Sequence, residues 1–306
     1  MEEAVIKIQN VTKRIGSKTI VDDLSLVVYP GEVFGFIGPN GAGKTTTIRM
    51  MLGLMKITKG DIYINGYNVA KDFEKAIARI GGIIESPELY KYLSGYANLK
   101  FFARLRGDIP RERIDEIVEF VGLKNRIHDK VRKYSLGMRQ RLGVAQALLH
   151  DPNILVLDEP TNGLDPAGIK ELRDTFKKLA REKNVAVFVS SHLLSEMQLM
   201  CDRAAIIQNG RVVKVLDMRD AAVKAVNTQI FTVSPVEKAV EAITAYGKYR
   251  IIGVQGNDIS VEMDAENVNE IVQVLIPAGV MLKGVRAVEK TLEDLFMETT
   301  GVNVID

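Results

Sequence analysis

Residues 38–46, Gly38-Pro39-Asn40-Gly41-Ala42-Gly43-Lys44-Thr45-Thr46, gather glycines, a lysine and two threonine hydroxyls into one short run. The spacing G-x-x-x-x-G-K-T lets consecutive backbone N–H groups curl around a polyphosphate. Glycine is needed where a side chain would keep the backbone off the phosphates and where φ is positive. An apolar run, Val33-Phe34-Gly35-Phe36-Ile37, precedes the loop, and residues 46–54 after it suit a helix. A helix opening near Gly43 would aim its partial positive end at the same anion. Lys44 would then reach the β/γ-phosphates, and the Thr45 hydroxyl would take a place on Mg²⁺. The run implies a nucleoside triphosphate site.

A second candidate set lies where Ile154-Leu155-Val156-Leu157 ends in Asp158-Glu159-Pro160. A carboxylate at the C-terminal end of a buried parallel strand stands where open α/β sheets hold ligands. Asp158 fits a metal-holding role, and Glu159 can polarise a water for attack on the γ-phosphate. Without the phosphate loop the same pair would read as a solvated strand end. Tyr134-Ser135-Leu136-Gly137-Met138 comes just ahead of a helix running to Leu149. Ser135 is a good N-cap and Gly137 leaves room for an anion, yet a plain capped helix explains both equally well.

Holding these groups requires strands whose ends meet. Residues 4–9, 26–28, 61–64, 80–84, 154–157, 185–189, 204–207 and 211–216 read as strands, with Asn65-Gly66 and Asn209-Gly210 as turns. Apolar strands linked by helices such as 168–182 predict a mostly parallel sheet buried on both faces. Residues 98–105 and 111–121 carry apolar side chains three and four apart, marking a helical insert over about 94–150. The first 216 residues thus form one α/β domain. Residues 217–306 read as a separate small α+β domain that opens with a linking helix. Strands at 228–233, 250–254, 258–263 and 282–287, with helices at 236–246 and 267–276, follow the ferredoxin-like order β-α-β-β-α-β. A last helix is expected over 291–299.

Composition narrows the class. The chain has 306 residues, 46% hydrophobic and 26% charged, with net charge +2, so nothing draws it toward nucleic acid. No apolar segment approaches the ~20 residues that span a bilayer. The start, Met1-Glu2-Glu3, lacks a secretory pattern, and a cytosolic setting is expected. Cys201, the only cysteine, excludes intrachain disulfides and is expected to pack on an apolar helix face. His128 and His150 read as structural or exposed.

The phosphate loop, the Ser135–Gly137 segment, Leu157-Asp158-Glu159-Pro160, Thr161-Asn162-Gly163-Leu164-Asp165-Pro166 and Ser190-Ser191-His192 occur in one order and context. In this, residues 4–216 resemble the ATP-binding cassette (ABC) ATPases. The resemblance implies a P-loop NTPase core with an antiparallel β portion, and two domains that sandwich two ATP molecules head to tail. Ser135 and Gly137 of one subunit would contact the γ-phosphate held by Lys44 of the other. His192 matches the family's switch histidine, and Asp165 matches the loop that communicates between sites, though Asp-Pro also starts helices. Two departures stand out. Ile15 occupies the place of an aromatic residue that stacks on adenine. Glu85 replaces a glutamine that contacts Mg²⁺ and water, a change also found in the similar bacitracin- and lantibiotic-type exporter branch. Thr291-Leu292-Glu293-Asp294-Leu295-Phe296 with Thr300-Gly301 is similar to that branch's usual ending.

The resemblance therefore implies an ATPase of a membrane exporter, with ATP and Mg²⁺ as cofactors. It would work as a homodimer or beside a related subunit, peripheral on the cytoplasmic face of the membrane. Separate permease subunits would be its partners, and residues 85–104 would face them, with Tyr90, Tyr92 and Tyr96 read equally as contact residues or as core aromatics. A dimerisation or regulatory role is expected for residues 217–306, which hold no catalytic cluster. Two rivals remain at this level. One is an ABC ATPase acting on ribosomes or DNA, disfavoured by the single cassette and short insert. The other is a nucleotide-gated module without turnover, disfavoured by Lys44, Asp158, Glu159 and His192 together.

Overall fold

Strict alternation of apolar and polar residues begins strand β1 (Ile6–Ile15): Ile6 and Ile8 are buried, Lys7 and Gln9 are not. In this computed structural model, which describes residues 3–107, 109–218 and 228–288, the strand continues well beyond the expected end at Gln9. The pattern slips because Asn10 adopts φ 48° and the register shifts between Ile8 and Val11. A bulge of this kind flips the inward face while keeping the pairing. Strand β2 (Lys18–Val28) starts earlier than expected for the same reason, with Asp23 at φ 52°. Strand β3 (Val33–Ile37) leaves for a second sheet, while β4 (Lys59–Ile64) and β5 (Tyr67–Asn68) complete an antiparallel sheet ordered β2-β1-β4-β5.

The chain forms two compact units, Met1–Asp217 and Met218–Asp306. The centre of the first is a six-stranded sheet ordered β10-β9-β3-β8-β7-β6. It contains β6 (Ile80–Ile83), β7 (Ile154–Asp158), β8 (Ala186–Ser191), β9 (Arg203–Gln208) and β10 (Arg211–Asp217). Strands β3, β6, β7, β8 and β9 run parallel, and β10 returns antiparallel beside β9. Every residue of β3, β7 and β8 is buried, as two-sided covering requires. Phe188 stacks on Phe34 with ring centres 5.8 Å apart, which joins β8 to β3. Pairing of Ile37 with Ser191, and of Asp158 with Ser190, brings three strand ends to one edge.

Helix α1 (Lys44–Met51) follows the glycine-rich loop, and α2 (Phe73–Ile77) precedes β6. The insert carries α3 (Gly95–Leu105), α4 (Arg111–Phe120) and α5 (Leu136–Leu148). Helix α3 begins before the expected Asn98 because the Ser94 side chain caps it, accepting from Ala97 N at 3.1 Å. Helix α6 (Pro166–Lys183) closes on Asn184 in the left-handed region, and α7 (Leu194–Met200) lies between β8 and β9. Buried Cys201 ends α7, its Sγ 3.6 Å from Met197 Sδ, and burial pushes its thiol pKa up.

The second unit has its own core of Phe231, Val233, Ile243, Ile259, Val261 and Leu275. Strands β11 (Thr228–Ser234), β12 (Arg250–Gln255), β13 (Asp258–Glu262) and β14 (Met281–Val288) are all antiparallel, in the order β12-β13-β11-β14. With α8 (Val236–Tyr246) and α9 (Val268–Leu275) between them, this is the ferredoxin-like arrangement. The helix expected over 291–299, the motif that runs from Thr291 to Gly301, and most of the expected linking helix after Asp217 lie outside the described residues.

Candidate nucleotide site

The loop between β3 and α1 owes its path to its glycines. A Cβ on Gly38 would lie 2.3 Å from the Ile207 carbonyl oxygen, so no side chain fits there. Gly41 and Gly43 adopt φ 80° and 105°, which other residues reach only with strain. Asn40 and Gly41 are exposed, while Ala42, Gly43 and Lys44 are buried and Pro39, Thr45 and Thr46 are half-buried. Lys44 is only 6% exposed. Its ammonium donates to Gly38 O at 2.6 Å and Pro39 O at 3.2 Å, and pairs with Glu159 Oε1 at 3.2 Å.

The ends of β7 and β8 supply the remaining groups. Thr45 Oγ1 donates to Asp158 Oδ2 at 2.8 Å, and Ser190 Oγ donates to Asp158 Oδ1 at 2.6 Å. Ser190 Oγ also accepts from Glu159 N at 3.0 Å, which holds the two acids in fixed relation. Glu159 adopts φ 49°, a left-handed conformation that non-glycine residues keep only under local constraint. Its Oε2 lies 2.9 Å from His192 Nδ1. An ionised carboxylate can only accept, so the proton between them sits on Nδ1 and leaves Nε2 as the ring's second functional atom. One chain of contacts therefore runs His192–Glu159–Lys44, and another runs Thr45–Asp158–Ser190–Glu159. Thr45 and Asp158 present adjacent hard oxygens, the donor type that Mg²⁺ takes.

The family model described as ABC transporter matches residues 21–162. The ABC transporter ATP-binding protein YhcH of Bacillus subtilis (strain 168) is 53% identical over 299 residues, covering 98% of this chain and 97% of that protein. This chain belongs to the ABC transporter ATP-binding proteins. The bacitracin transport ATP-binding protein BcrA of Bacillus licheniformis is 39% identical over 302 residues, covering 98% of this chain and 99% of that one. Among solved structures, the dimeric post-hydrolysis state of the ATP-binding cassette MJ0796 bound to ADP and Pi superposes with TM-score 0.62. It is 26% identical and covers 70% of this chain and 99% of that cassette.

In this ATP-binding subunit, Ser135, Gly137 and Asp165 form a neighbourhood of their own. Ser135 caps α5, accepting from Met138 N at 3.2 Å, and Asp165 caps α6, accepting from Gly168 N at 2.9 Å. A Cβ on Gly137 would meet Gly168 Cα and a Leu164 methyl at 3.8 Å, ordinary contact distance. The fold of the subunit does not itself require glycine there. Among the described residues no hydrogen bond or ion pair joins this trio to the Lys44–Glu159 cluster. Beside them, burial pushes the Tyr134 phenol up to about 12 while its hydroxyl donates to Arg126 O.

The two departures also have definite settings. Glu85, at φ 64°, bonds to Arg49 Nη2 at 2.9 Å rather than to Thr45 or Asp158. Ile15 is 51% exposed at the end of β1. His150 accepts its structural reading: Nε2 lies 3.0 Å from Ile80 O, and burial, with nearby Arg106, holds its pKa below the usual histidine range. His128 lies against Tyr96, ring centres 5.5 Å apart. Sequence reasoning assigned no role to Ser190, although a hydroxyl ending an apolar strand beside the Asp158 strand was the available signal.

Proposed function

We propose that this subunit hydrolyses ATP in a head-to-tail dimer and so drives export through separate membrane subunits. The observation that carries this reading is the pairing of Glu159 with both Lys44 and His192 at the edge where the phosphate loop ends. Loop amides and Lys44 would grip the β/γ-phosphates. Thr45 and Asp158, joined by Glu85 once it leaves Arg49, would hold Mg²⁺, which when bound supplies positive charge against the phosphate oxygens. Once Lys44 turns to the phosphates, Glu159 is free to accept a proton from water, and His192 keeps its carboxylate oriented. Ser135 and Gly137 would complete the site of a second copy, with Asp165 linking the two. The test is phosphate release from ATP with Mg²⁺, alone and with membrane partners. Release is expected, and its absence in both conditions would favour a nucleotide-gated module.

The MJ0796 dimer supports the head-to-tail reading, and BcrA, named for bacitracin transport, supports export. No helix among the described residues is long and apolar enough to cross a membrane, so membrane association would come through the permease. Residues 85–104 suit that contact. They border a groove of about 590 Å³ whose apolar lining includes Leu52, Ile80, Ile83 and Pro87. In the same segment Tyr90 and Tyr92 are 37% and 68% exposed, with Phe101 packed edge-on to Tyr90. Tyr96, lying against His128, belongs to the insert's own packing. The second unit would serve dimerisation or regulation.

Gly137 gives a direct prediction. In Gly137→Ala the added methyl meets nothing closer than 3.8 Å within the subunit, so melting and nucleotide affinity of the monomer should stay unchanged. Turnover should fall at least about tenfold, because a methyl would intrude between two copies where donors must approach a phosphate. Wild-type turnover in that variant would remove Gly137 from the site.

A further inference from the structure

Arg141 projects from α5 into the junction of three helices, with its side chain 16% exposed. Nη1 lies 3.4 Å from Val121 O and 3.3 Å from Gly122 O, at the C-terminal end of α4. Nη2 pairs with Glu171 Oε2 on α6 at 3.2 Å. The approach to α4 is close: Gly122 adopts φ 69°, and a Cβ there would come within 3.2 Å of Nη1. Nε is buried and has no hydrogen-bond partner among the described residues. Stability alone is a poor account of this placement, since apolar residues of similar volume often serve at least as well as a desolvated charge.

The bridge has a regular position in the fold. Arg141 follows the α5 cap, Ser135, by the same interval at which Glu171 follows the α6 cap, Asp165. The guanidinium therefore ties the two helices less than two turns beyond their capped ends. Between those ends the backbones approach through glycine, with the Cβ position of Gly137 only 3.8 Å from Gly168 Cα. We propose that Arg141 is a positioning residue that locks α5 to α6, so that Ser135, Gly137 and Asp165 meet a second copy as one rigid face. Through the α4 carbonyls the same side chain also carries the helical insert along with that face. This inference rests on the head-to-tail dimer proposed above.

The test uses full-length chain carrying Glu159→Gln, which should accumulate as an ATP-bound dimer, and measures the protein concentration at half-dimerisation by sedimentation. Adding Arg141→Met should raise that concentration about tenfold or more, whereas Arg141→Lys, which keeps the charge near Glu171, should raise it about threefold. Glu171→Gln, a change at a side chain that is 55% exposed, should fall between them. Binding of a labelled ATP analogue to the monomer, measured well below dimerising concentrations, should stay within about twofold of the parent in all three. Unchanged dimerisation in Arg141→Met and Glu171→Gln would overturn the proposal. So would monomer affinity falling by the same factor as dimerisation, which would mark Arg141 as merely structural. Failure of the parent to dimerise with ATP would instead sink the dimer reading, and this inference with it.

Discussion

Glu159→Gln is expected to lower ATP turnover by about 10²–10⁴-fold, the usual contribution of a positioned general base, while leaving ATP binding intact. The substitution keeps the shape of the side chain. Its amide oxygen can still accept from Lys44, and its amide nitrogen can donate to His192 Nδ1, in place of the carboxylate now 2.9 Å away, once the ring proton moves to Nε2. What disappears is the proton acceptor and one negative charge close to where the γ-phosphate would sit. Affinity for the triphosphate should therefore hold or tighten, and a closed dimer should build up. Single-turnover phosphate release gives the first readout and sedimentation the second. Wild-type turnover would remove Glu159 from its role.

Lys44→Ala should nearly abolish nucleotide binding. The ammonium makes charge-assisted hydrogen bonds, each worth about 1.5–3 kcal/mol when its partner is charged. A loss of about 2.7 kcal/mol corresponds to ~100-fold in Kd. Before nucleotide arrives, the same group offsets Glu159, which is 16% exposed and also held by His192. Melting of the nucleotide-free variant should thus change little, whereas calorimetric titration with ATP should show a steep fall in affinity. Binding within about threefold of wild type would contradict the role given to Lys44.

Much of this was legible in the sequence, and the reasons differ from place to place. The phosphate loop reads clearly because its glycines and Lys44 are local, and each has a backbone or charge reason to be there. The ends of β7 and β8 read clearly because every residue in them is apolar until the site begins. The second unit's strand and helix order was legible from its turns, Gly256-Asn257 above all. By contrast, β1 and β2 looked short because bulges at Asn10 and near Asp23 break the alternation that marks a strand. Helix α7, only Leu194–Met200 and without a side-chain cap, offers too few turns for a periodic signal. The Arg49–Glu85 pair was invisible for another reason: it joins positions set together by the path of β6 and α1, and no local pattern encodes it. Likewise, the spacing of residues could nominate Ser135, Gly137 and Asp165, but within a single copy the first and last do no more than cap helices.

The parallel pairing of β3 with β8 has a consequence for the life of the chain. Strand β8 begins at Ala186, after the loop's own helix, the whole insert and β7 have been made. A polypeptide that has only reached the insert cannot yet offer ATP a seat, however complete its loop. Nucleotide thus recognises the finished tertiary structure and adds to its stability, by about 4 kcal/mol when ATP stands a thousandfold above its Kd. Cells rich in ATP would shelter the mature subunit from proteolysis, and energy starvation would withdraw that protection.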